Sequence, residues 1–206
     1  MPSMCVAFTL FLGPVFLRHD LRSDLQRQEI VRTLPIPGRD LVAAEIASTA
    51  TALTLIAAFF SLIAFVFFSV ATLKPPTDWR MWLTLVAVLG MLPLISGIVA
   101  GAHNALAVVF PGWVKFGPTQ SQGIDQMGTV MVTVLTTGVF VVVGLIAPAV
   151  VSGTIVLRTV SVLGPWAAVP VYIGAWLTMV AELILLAVLL GDAYEEMDPS
   201  AEGLLG

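Results

Sequence analysis

From Met81 to Phe110, thirty consecutive positions carry no Asp, Glu, Lys or Arg. As a helix this run would reach about 45 Å, against a bilayer hydrocarbon core of about 30 Å. Three more runs are nearly as apolar. Leu41 to Leu73 is interrupted only by Glu45, Thr129 to Val151 is uncharged, and Pro165 to Leu190 contains only Glu182. Lipid offers no partner to a peptide group, so runs of this length cross as helices that satisfy their own backbone. Composition agrees: 58% of the 206 residues are hydrophobic and 11% are charged, where a soluble domain is about half apolar and a quarter charged. The expected fold is all-α. It is a polytopic helical membrane protein with four full transmembrane helices (41–73, 81–110, 129–151 and 165–190), forming a single transmembrane domain over residues 1–206.

A fifth apolar block, Met1 to Leu17, opens the chain without a charge. It is short for a crossing and lacks the basic start and small-residue cleavage site of a signal peptide. It reads as a short or truncated first helix, the tail end of a span whose natural chain continues upstream. Within 81–110, Pro93 flanked by Gly90 and Gly97 predicts a kink, because proline removes a donor and crowds the preceding turn. Gly97 and Gly101 in "GIVAG" have the small-xxx-small spacing of close helix crossings.

Basic residues set the orientation. Alternate loops place Arg18, Arg22, Arg27, Arg32, Arg39 and Lys115 on one side and Lys74, Arg80 and Arg158 on the other. The first group is therefore expected in the cytoplasm, together with the acidic tail "GDAYEEMDPSAEG", and the amino terminus outside the cell membrane. Trp79, Trp82, Trp113 and Trp166 fall near span ends, where amphipathic rings prefer to sit.

Several chemistries find no motif. There is no GxxxxGK[ST], HExxH or GxSxG, and Cys5 is the single cysteine. The expectation is a chain that is not an enzyme, holds no cofactor or metal, and does not bind nucleic acid. The polar residues inside the spans carry more information, because ionisable groups at depth are costly. Glu182 reads as part of a substrate path or a proton site, or as a hydrogen bond to a neighbouring helix. Asn104, beside His103, reads as interhelical glue or as a second polar group on that path. Glu45 lies near a helix start, where the dipole favours a carboxylate.

The remaining polar stretch is "RHDLRSDLQRQEIVRTLPIPGRD", residues 18–40. It holds five of the nine basic residues and four of the thirteen acidic ones. Leu17, Leu21 and Leu25 recur every fourth position, and Ile30, Val31 and Leu34 extend an apolar face. Asp24 with Arg27, and Glu29 with Arg32, stand three apart and can pair on a helix surface. Its near-neutral balance fits a protein partner better than anionic lipid, which selects a strongly basic face; a solvated cytoplasmic loop that merely satisfies the positive-inside rule fits it as well. Pro35, Pro37 and Gly38 then break the helix. Pro37-Gly38 suits the centre of a type II turn, and Asp40 suits the cap of a helix entering the membrane from Leu41.

Three pieces of the chain, in order, carry a family likeness. "EIVRTLPIPGRDLVAAE" resembles the cytoplasmic elbow of type 2 ABC transporter permeases, through Glu29, Ile30, Leu34, Pro35, Arg39, Leu41 and Glu45. "RHDLRSDL" and "HNALAVVFPGWV" are similar to segments of a bacterial ABC exporter subgroup of that family. The resemblance covers the chain from about Phe11 onward. It implies the membrane subunit of an exporter, or its carboxy-terminal part, driven by an ATPase supplied as a separate chain. Leu21, Leu25, Ile30, Leu34, Pro35 and Arg39 would then contact the ATPase, while Asn104 and Glu182 would line a path. Five apolar segments are few for an enclosed path, so the resemblance implies a homo- or hetero-oligomer among membrane lipids. Two other functions fit the residues: a membrane scaffold or assembly subunit without transport, and a proton-coupled secondary carrier using Glu182.

Overall fold

A computed structural model describes residues 6, 8–10, 36–71, 79–109 and 124–196. Four long helices follow one another: α1 (Gly38–Ala71), α2 (Trp79–Val109), α3 (Ile124–Leu163) and α4 (Ala168–Glu196). A short 3-10 turn, Gly164–Ala167, joins the last two. There is no strand among the described residues, as the self-satisfying backbone of the apolar runs requires. Among the described residues three helical segments are long and apolar enough to cross a membrane: Gly38–Val70, Met81–Val108 and Val134–Glu196. The chain is a multi-pass, membrane-embedded protein. The third segment contains both α3 and α4.

Gly164 divides that segment. Its φ of +54° is the left-handed conformation that glycine adopts without penalty, and Pro165 follows it. Beyond the turn α4 runs back along α3, so Gly174 lies against Ile155 and Glu182 faces Phe140 and Gly144. The helix boundary here differs from the sequence expectation, which ended the span at Val151 and treated 152–164 as a polar loop. Helix α3 continues to Leu163 because its hydroxyls are accommodated within it. Thr154 Oγ1 donates to the Val150 carbonyl at 2.8 Å, and Thr159 Oγ1 donates to Ile155 at 2.7 Å. At 40 residues α3 is about 60 Å long, twice the thickness of a bilayer core. It also carries Pro148 internally, and α2 stays helical through Pro93.

Helix α2 is the most enclosed of the four and, like α4, packs on all three others. Of its most apolar stretch, 39% is buried, against 11% for each of the other two segments. Three layers of side chains fill the bundle. At the end holding Gly38, Val42 and Ile46 meet Ala105 and Val108 of α2 and Leu190 and Tyr194 of α4. The middle layer joins Leu53, Leu94, Ile98, Val141 and Met179. A third joins Ala57 and Leu92 to Leu10, which is helical with residues 6, 8 and 9. The outer faces stay apolar: Leu55, Phe59 and Val66 on α1, and Val142, Ile146 and Leu157 on α3, are exposed. Facing lipid, these side chains need no cover. What holds the helices together is close packing and interhelical hydrogen bonding rather than withdrawal of apolar surface from water.

Candidate functional site

The start of α1 is the one described part of the charged segment. Residues 18–35 lie outside the described residues, and with them Leu21, Leu25, Ile30, Leu34 and Pro35. Arg39 is exposed on the first turn of α1, 3.9 Å from the Asp40 carboxylate, with both side chains about two-thirds accessible. An exposed pair of this kind contributes little to stability and leaves Arg39 open to a partner.

The entry to α1 differs from the expected turn and cap. Helix begins at Gly38 rather than Leu41, and the Pro37 carbonyl accepts from the amides of Asp40 (3.0 Å) and Leu41 (3.2 Å). Asp40 therefore sits inside the first turn. Nor does Gly38 take the positive φ of a type II turn, since among the described residues only Gly164 does so. The reason lies 157 positions away. Glu195 of α4 accepts a 2.5 Å hydrogen bond from the Gly38 amide, one of the orphan donors at a helix start. A side chain at Gly38 would collide with Glu195 Cγ at 2.7 Å and with the Gly191 carbonyl at 2.9 Å. Gly191 is equally constrained, because a Cβ there would overlap the Arg39 backbone. The first turn of α1 and the last turns of α4 thus meet backbone against backbone, with a carboxylate on the positive end of the α1 dipole.

Sequence reading treated 191–206 as an acidic tail, and it missed this clamp. The signal was present in "AVLLGDAYE": Ala187, Gly191 and Glu195 recur every fourth residue and share one helical face. Ala187 lines a 550 Å³ crevice between α1 and α4 just below the clamp, together with Ile46, Ala50 and Thr54. Farther in, Leu183 and Leu186 of α4 seat against Gly97 and Gly101 of α2. The small-residue spacing marks a helix crossing, as its pattern suggests.

The two polar residues expected on a path occupy different surroundings. Asn104 is buried in the α2 interior beside buried His103, whose Nε2 lies 3.4 Å from Thr137 Oγ1 of α3. Ser96 and Thr49 are buried in the same way. Glu182 instead lies on a 240 Å³ crevice between α3 and α4, which takes Ile98 and Ala102 as its α2 floor. Among the described lining residues Asn104 does not appear, so the two are not brought to one cavity. Glu182 stands fourteen residues after Ala168 and fourteen before Glu196, about 21 Å from either end of α4. Its Oε2 is buried with no hydrogen-bond partner among the described residues. Glu45 is half-buried in the second turn of α1. Among the described residues no three metal-ligating side chains come together.

Comparison with protein-family models, with curated proteins and with solved structures gives no match.

Proposed function

We propose that this chain is the membrane-spanning permease, or part of one, of an ABC-type exporter. A separate ATPase docks beneath the 18–40 elbow. The observation that supports this reading is the clamp between Gly38–Arg39 and Gly191–Glu195. A segment that passes force from a soluble motor to membrane helices has to be fixed to those helices. Here the end of the elbow is tied to the last turns of α4, and α4 seats on α2 through Leu183 and Leu186. A push on Arg39 is therefore a push on α4.

The reading includes four full crossings, with α3 and α4 as two of them either side of Gly164, and a short first helix. The elbow and the acidic carboxy terminus face the cytoplasm, and the amino terminus faces outward, on the balance of six basic residues against three. The described cavities are lateral crevices between helix pairs. An enclosed path then needs further helices, from another copy or from another subunit.

The test is recovery of a P-loop ATPase encoded beside this gene on the affinity-tagged chain. Arg39→Glu combined with Leu34→Asp should abolish that recovery. Equal recovery with the double variant removes the elbow as the docking site. Recovery of other cytoplasmic proteins and no ATPase favours the scaffold function.

A further inference from the structure

We propose that the Glu182 crevice binds a lipophilic amine in its protonated form, the ammonium donating to the carboxylate and the hydrocarbon body lying between α3 and α4. Three features carry this. Glu182 is the only ionisable side chain among the described residues lining the crevice, and its Oε2 is buried without a partner. A carboxylate at mid-span asks for a cation with a hydrogen to donate, because nothing in hydrocarbon replaces its hydration. The crevice also has room beyond a proton. Its 240 Å³ exceeds the cavity of about 150 Å³ that takes up benzene in an engineered apolar core.

The walls select the rest of the ligand. Ile98, Val143, Leu185 and Leu189 are aliphatic, and Phe140 adds an aromatic ring, a group that attracts cations. Val143, Leu185 and Leu189 are also more than half exposed on the outer surface, so the crevice opens sideways and a ligand enters from the lipid. Gly144 keeps the back wall open, since a Cβ there would come within 3.3 Å of Ile98 Cγ2. The inference deepens the permease reading by naming a substrate class. It rests on that reading for transport, whereas binding needs neither ATPase nor a second subunit.

The experiment measures saturable binding of 4-phenylbutylamine to the purified full chain in phosphatidylcholine nanodiscs. The neutral isostere 1-phenylpentane, with a methyl in place of the ammonium, runs in parallel. The amine should bind at least tenfold more tightly than the hydrocarbon. Glu182→Gln should remove that advantage and leave hydrocarbon binding unchanged, Glu182→Asp should keep most of it, and Gly144→Leu should weaken both ligands. Equal affinity for amine and hydrocarbon in the unaltered chain overturns the proposal, whatever the variants do. So does undiminished amine binding by Glu182→Gln. Absence of amine binding, with an oligomer that Glu182→Gln dissociates, assigns the carboxylate to a subunit contact and also overturns it. Lost ATPase recovery with intact amine binding, or the reverse, separates a failure of the docking reading from a failure of this one.

Discussion

At one end of the bundle, α1 and α4 come together at two glycines, close enough for backbone to touch backbone. The amide of Gly38 reaches Glu195, and Gly191 lies on the Arg39 backbone. At the other end the helices meet through large rings. Trp79, at the start of α2, stacks on Trp166 of the 3-10 turn with centroids 6.1 Å apart, and Trp82 lies 5.0 Å from Phe65 of α1. Trp79, Trp82 and Trp166 are themselves exposed. The two ends hold similar helices by different means. Where the Gly191 and Arg39 backbones touch there is little room for adjustment, because neither backbone has a rotamer to change. Stacked exposed rings can slide and still remain in contact. The end holding Gly38 is the more tightly fixed one, which the proposed transmission of a displacement would need.

Substitutions at matched glycines test the contrast most strongly. Gly191→Leu drives a side chain into the α1 backbone and should destabilise the chain by about 2–3 kcal/mol, the upper part of the overpacking range. Thermal unfolding in detergent reads this directly, and ATPase recovery should fall with it. If Gly191→Leu is tolerated, the two ends are alike and the clamp is not a fixed contact. Next comes Glu195→Ala, which removes a carboxylate from an orphan amide at a helix start. Glu195 is solvent-accessible, so the loss should be near 1 kcal/mol, with Glu195→Gln in between. At the opposite end, Trp79→Leu should cost about 0.5 kcal/mol, the lower figure for an aromatic pair. The one substitution expected to cost nothing is Gly153→Ala on α3, where an added Cβ meets nothing within 4 Å. Helix propensity alone predicts a neutral change or a gain of up to about 1 kcal/mol. A loss there would mean that α3 packs against something besides α2 and α4.

Much of the fold could be read from the chain because lipid leaves few choices. Thirty uncharged residues in a row must be a helix, and the limits of α1 and α2 fall within a few residues of the apolar runs Leu41–Leu73 and Met81–Phe110. The expectation erred where polarity was taken for a break. Ser152, Thr154 and Thr159 look like a loop in one dimension, yet the two threonine hydroxyls bond back within the helix, and the reversal waits for Gly164 and Pro165. Glu182 stood out as a lone charge in an apolar run, and its depth followed from its position. That it faces a crevice rather than Asn104 did not, because helix rotation depends on partners that uniformly apolar faces do not specify. The cap on α1 was sought next to Gly38 in sequence, at Asp40. It comes from Glu195, and a single chain's local pattern carries no record of a contact made across 157 positions.

The enclosure of α2 has a consequence for biogenesis. Leaving the ribosome second among the four long helices, it carries a groove at Gly97 and Gly101 that is filled by Leu183 and Leu186, residues made roughly eighty positions later. Until α4 arrives, acyl chains must occupy that groove. The helix that ends up most enclosed by protein is therefore made well before the leucines that fill its groove. A nascent chain stalled before Ala168 should still reach the bilayer, yet leave its own middle unassembled.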